Sequence, residues 1–157
     1  MKNKNSGFTL IELSLVCVVL AVMIAVAMPS FSKVYRASEL RTTAAELTWT
    51  MRYGYGAALS AGTRLKLVFD QAEGSYRLEK ENDPVHQKGI FIPLESSLLK
   101  KKVFPSGIKL SSLSSAELVF NPSGMGADLQ LSLQNAAGNS YALTYSGWNG
   151  QVKIDEI

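Results

Sequence analysis

Few residues in this 157-residue sequence are placed to do chemistry, and the first of them is Glu12. It is the only charged residue among the 21 of the apolar run 8–28. A helix of that length measures about 31 Å, enough to cross the hydrocarbon core of a bilayer. A carboxylate inside such a run costs a few kcal/mol, so an acid there marks a functional site and needs a cationic partner. No Lys or Arg stands between Lys4 and Lys33. The partner must therefore be another chain or a newly made N-terminal amine.

The other candidates are sparse. His86 is the sole histidine and Cys17 the sole cysteine, so an ordinary zinc site cannot be assembled and no intrachain disulfide can form. No Gly-x-Ser-x-Gly elbow and no phosphate-binding loop occurs. Asp83 and Asp128 lack calcium-loop spacing around them. We therefore expect no enzyme, no metal and no cofactor, and read His86 as a solvated loop residue. Lys100-Lys101-Lys102 is the one charge run. It reads first as a solvated loop or an edge that deters strand pairing, and second as a contact for an anionic partner such as DNA.

The N-terminus supports two readings. Lys2 and Lys4 ahead of an apolar segment, with Ala25-Val26-Ala27 behind it, have the form of a secretory signal cleaved after Ala27. Glu12 within the apolar segment argues against that. Gly7-Phe8-Thr9-Leu10-Ile11-Glu12 followed by the apolar span instead resembles the leader of type IV pilins and type II secretion pseudopilins. The resemblance implies cleavage after Gly7 by a prepilin peptidase and N-methylation of Phe8. It also implies that Glu12 neutralises the terminal amine of a neighbouring subunit during assembly. The expected topology, with the N-terminus cytoplasmic and the remainder periplasmic, rests on the same likeness.

Beyond Met28 the apolar pattern becomes one-sided. Pro29 is expected to kink the helix without ending it. Ala37, Leu40, Ala44, Leu47, Met51, Gly54 and Ala58 recur at steps of three and four, a stripe that faces a core. Gly62 is expected to cap the helix, which gives a stalk over 8–60 of about 80 Å. Period-two alternation then predicts a hairpin from Leu65-Lys66-Leu67-Val68-Phe69 and Tyr76-Arg77-Leu78-Glu79-Lys80, turning at Ala72-Glu73-Gly74. Further strands are expected at 90–92, 108–110, 117–120, 129–133, 141–145 and 152–154, separated by turn-forming residues. The fold class is α+β: a long N-terminal helix, membrane-spanning in its first half, packed on an antiparallel β domain of two small sheets. The expected segments are a leader (1–7), a transmembrane helix (8–28), its periplasmic continuation (29–61) and a β head (62–157).

Charge adds one exclusion. The net +3 is misleading, because ten Lys/Arg and ten Asp/Glu follow Gly62 and leave the head neutral. Nothing in that balance argues for a nucleic-acid partner.

The C-terminal half narrows the resemblance. Phe104-Pro105-Ser106-Gly107-Ile108 and Val119-Phe120-Asn121-Pro122-Ser123-Gly124, followed by alternating strands, are similar to the GspH/FimT branch of minor pilins and pseudopilins. That implies an inner-membrane subunit whose partners are other pilins, assembled near the tip of a pseudopilus or a pilus. Members tied to DNA uptake carry Gly-Arg-x-Arg near the C-terminus, where this chain reads Gly150-Gln151-Val152-Lys153, without either arginine. Trp148 and Tyr145 are expected to pack in the core or cover a strand edge, and Trp49 lies off the helix stripe.

Overall fold

The computed structural model describes residues 9–83, 85–94 and 100–157, with side chains at all of these except 26–35 and 87. The chain divides into two compact units, 1–36 and 37–157. One helix, α1 (Leu10–Ala61), contributes residues to both. Its first turn is capped by Thr9, whose Oγ1 accepts from the Glu12 N–H at 3.3 Å and whose C=O accepts from the Leu13 N–H at 3.2 Å. Among the described residues no helix is long and apolar enough to cross a membrane. The expected span 8–28 begins at Phe8, which lies outside the described residues, as do the side chains of 26–28.

In the second unit the helix stripe is buried as its spacing requires. Leu40, Ala44, Leu47, Met51 and Ala58 lose nearly all contact with solvent, while Ala37 is only half-buried. The helix ends at Ala61, and Gly62 follows with φ +62°, the left-handed conformation expected of its cap.

Nine strands follow among the described residues: β1 (Leu65–Asp70), β2 (Ser75–Asp83), β3 (Gln87–Pro93), β4 (Lys102–Val103), β5 (Ile108–Leu113), β6 (Glu117–Phe120), β7 (Leu129–Asn135), β8 (Ser140–Tyr145) and β9 (Val152–Glu156). They form two antiparallel sheets. One runs β3-β2-β1-β6, with β4 paired to the far end of β2, and the other runs β5-β7-β8-β9. The expected hairpin is present in the register Leu67 opposite Leu78. Its partner on the other side is β6, which inserts Leu118 opposite Leu67. Alternation places Leu65, Leu67, Phe69, Leu78 and Phe120 of the first sheet in one core with Leu131, Leu133, Leu143 and Tyr145 of the second. The Phe120 and Tyr145 rings meet edge to face at 5.6 Å and join the two sheets. Tyr145 therefore sits in the core as expected. Trp148 does not: it is 76% exposed on the β8–β9 turn.

The opposite face of the first sheet carries a ladder of charge. Lys66 lies 3.4 Å from Glu79 and 3.1 Å from Glu117, and Arg77 donates to Glu79 at 2.8 Å. At the end of the ladder Glu81 is buried. It receives the Arg64 fork, with Nε at 2.9 Å, and the Gly89 N–H at 2.8 Å. The Phe91 ring lies beneath both cations, 5.8 Å from Arg64 and 4.8 Å from Lys66. The Arg64 guanidinium, and then the Gly89 N–H, hold the Glu81 carboxyl down at about 2. Asp83 is lowered too, by the His86 and Val85 N–H groups.

A carboxyl depressed in the folded state adds stability above its unfolded value and loses it as pH falls through the folded one. The melting temperature of the head is therefore expected to hold from neutrality to about pH 5 and to fall steadily from about 4.5 towards 2. Thermal scans across that range check it, and Glu81→Gln should flatten the acid limb.

Candidate functional site

Glu12 lies in the first turn of α1, and among the described residues it makes no ion pair. Gly7 and Phe8, the expected processing residues, lie outside the described residues. What the structure adds is the local frame. Thr9 and Glu12 have capping-box spacing, Thr-x-x-Glu, and the Thr9 half of that box is formed. The positive end of the helix dipole also favours an acid in this turn. Glu12 is exposed on the single chain, so its carboxylate is available to a group outside the chain.

The lysine run is largely spoken for. Lys101 pairs with Glu73 in the β1–β2 turn, and Lys102 at the start of β4 pairs with Glu46 on α1. Lys100 is exposed and makes no ion pair among the described residues. The run thus fastens the hairpin turn and the helix to β4. Glu46 also lies near Tyr76, whose phenol is pushed above the usual tyrosine range, first by burial and then by that carboxylate. His86 is exposed and sits 2.9 Å from Asp83 Oδ2. Among the described residues no cluster of three His, Cys, Asp or Glu could hold a metal.

Two helix residues off the stripe organise the loops that carry the C-terminal motifs. Tyr55 donates to the Gly124 C=O at 3.5 Å, reaching the Asn121-Pro122-Ser123-Gly124 loop. The same ring lies against Gly150, where a Cβ would fall 2.4 Å from its Cδ1 and where φ is +67°. Arg52 donates to the Val152 C=O at 3.3 Å. Asp128 completes the junction by accepting from the Gly147 N–H at 2.8 Å. Burial, followed by the charges of Tyr55 and Asp128, pushes Tyr145 beside it up to about 12. Turn chemistry made these loops visible in the sequence. That they rest on Tyr55 was not, since a tyrosine one position off a stripe carries no long-range signal.

The helix has a formed N-cap and an outward acid in its first turn, and within the second unit Tyr55, Arg52 and Glu46 tie the head to the helix residues that belong to that unit. Residues 2–28 match the prokaryotic N-terminal methylation motif. The fold is that of the minor pseudopilin EpsH from the type 2 secretion system of Vibrio cholerae, with TM-score 0.62, 13% identity, and coverage of 75% of this chain and 97% of that one. It is also that of the type IV minor pilin FimU of Pseudomonas aeruginosa, with TM-score 0.54, 15% identity, and coverage of 74% and 92%. No curated protein sequence matches significantly. The chain thus has a type IV pilin-like fold, similar to that of a minor pseudopilin and a minor pilin, and bears the N-terminal methylation motif at its start.

Proposed function

We propose that this chain is a minor pseudopilin that assembles near the tip of a type II secretion pseudopilus. Prepilin peptidase cleaves it after Gly7, Phe8 is N-methylated, and residues 8–28 hold it in the inner membrane with the head in the periplasm. Glu12 accepts the terminal amine of a neighbouring subunit. The observation that carries this reading is the coincidence, in one chain, of the methylation motif over 2–28 and a pilin-like head joined to the same helix.

The second reading is a minor pilin of a type IV pilus, favoured by the likeness to FimU. The secretion reading draws on the higher TM-score to EpsH, 0.62 against 0.54, and on the neutral head. DNA contact through Lys100, Lys101 and Lys102 has less support, because two of the three are already paired with glutamates.

The test is the intact mass of the protein extracted from membranes. The expected product lacks residues 1–7 and carries one added methyl group at Phe8. A product beginning at Met28 would instead make this a secreted β domain and overturn the assembly reading.

A further inference from the structure

Two glycines interrupt the second half of α1, and only one has a reason within the chain. A Cβ at Gly54 would lie 2.5 Å from the Phe120 ring, whereas at Gly56 it would meet nothing within 4 Å. Glycine in a helix interior costs about 1 kcal/mol relative to alanine, so Gly56 weakens the helix with no internal return. At 100° per residue Gly56 lies on the side opposite the core stripe, in line with Trp49 and Tyr53. Those two rings stack on each other at 5.3 Å and 22° and remain 47% and 38% exposed. An exposed aromatic plate beside a gap suited to close backbone approach is the composition of an interface centre.

Charge specifies the occupant. Arg41 and Arg52 run along one flank of this face, and Glu39 and Glu46 along the other. When two parallel helices face each other, opposite flanks meet, as the e and g positions do in a parallel coiled coil. The arginine flank of one helix then lies beside the glutamate flank of its neighbour. Antiparallel contact would instead set like charges together. Within the chain Arg52 already reaches the Val152 C=O and Glu46 already holds Lys102, so Arg41 and Glu39 are the members of the flanks that make no such tie among the described residues.

We propose that the Trp49–Tyr53–Gly56 face of α1 receives the same face of a parallel α1 from a second copy of this chain. The inference deepens the assembly reading and rests on it. Gly56 admits the neighbouring backbone, and the two aromatic plates pack across the seam.

The test uses the full chain in cell membranes, with Cys17→Ser as background. Tyr53→Cys and Gly56→Cys are compared under mild oxidation with Lys88→Cys, an exposed site on the head. The expected result is a covalent product of twice the chain mass, at least fivefold more abundant from positions 53 and 56 than from 88. Equal yields from all three would overturn the proposal, as would cross-linking only to a protein of different mass. A Gly56→Ala change separates docking from folding. It should raise the melting temperature by about 3 °C while reducing the position-53 cross-link at least fivefold. A lowered melting temperature with an unchanged cross-link would assign Gly56 to the fold and sink the docking role. Residues 1–7 are followed by mass in the same samples. If they are retained, the assembly reading fails. If they are removed and positions 53 and 56 do not cross-link, only this face fails.

Discussion

Gly54→Leu unfolds the head. The position lies on the core stripe of α1, and even a single Cβ would come within 2.5, 2.9 and 3.0 Å of three atoms of the Phe120 ring. That ring is fully buried and held edge-on by Tyr145, so it has no open direction in which to retreat. Alanine sets two effects against each other. It gains about 1 kcal/mol of helix propensity, while overpacking costs about 1–3 kcal/mol. Gly54→Ala should therefore come out destabilised by about 1 kcal/mol. Leucine brings three further carbons into the same space with little more propensity to offset them, and the loss reaches several kcal/mol, a large share of the 5–15 kcal/mol that holds an ordinary domain together. Near-ultraviolet circular dichroism of the full chain in detergent, followed through a thermal ramp, reads both variants. Phe120→Ala should restore part of the folding of Gly54→Leu, because the two changes share one volume. A Gly54→Leu protein that melts like the parent would show that helix and sheets do not meet at this point.

Glu12→Gln leaves processing intact and cuts incorporation into the assembled structure about a hundredfold or more. The substitution is chosen because two roles compete at this residue. As the third helical residue after Thr9, Glu12 has the spacing of a capping box, and glutamine fills that box as well as glutamate. Loss of the cap therefore cannot explain a defect in the glutamine variant. Charge can. If the carboxylate neutralises a neighbour's amine in an apolar surrounding, its removal leaves that amine buried and unpaired at about 3–5 kcal/mol. At 1.4 kcal/mol per factor of ten, that is a hundredfold or more. The amount of subunit recovered in sheared filaments, against the amount left processed in the membrane, measures it. Normal incorporation of Glu12→Gln would remove the charge-pairing role, and failure of Glu12→Ala alone would leave helix capping as the whole function of the residue.

Periodicity made much of this fold legible. Leu40, Ala44, Leu47 and Met51 are buried where a 3.6-residue repeat puts them, and Leu65, Leu67 and Phe69 where a two-residue repeat does. These patterns are local and each is written in one stretch of chain. Pairing is not local. Nothing near Leu67 in sequence says that Leu118 will lie beside it, 51 positions on, or that β4 will attach to the far end of β2. The stretch around β3 and β4 was the least legible part because its strands mix apolar, polar and Pro residues without clean alternation. The lysine run shows the same gap for charges. Three adjacent lysines read as a solvated cluster until Glu46 and Glu73, from two other elements, are found against them. Trp148 erred the other way, since a large aromatic in a turn is expected to be packed, and here it stays 76% exposed.

The bond from Arg52 to Val152 also bears on how this protein avoids aggregating. β9 is the outer strand of its sheet. The Ser146 N–H donates to Gln151, and the Ile157 N–H to Ser140. Alternation then turns the odd-numbered residues of β9 toward β8 and leaves Val152, Ile154 and Glu156 presenting their amides outward. Such a row is a template on which a stray strand can polymerise. Arg52 occupies its first acceptor from the side, so an incoming strand meets a guanidinium at the rung where zipping would begin. A residue of the helix thereby obstructs strand addition at the start of this one edge, so that neighbouring heads meet a side chain there before they meet backbone.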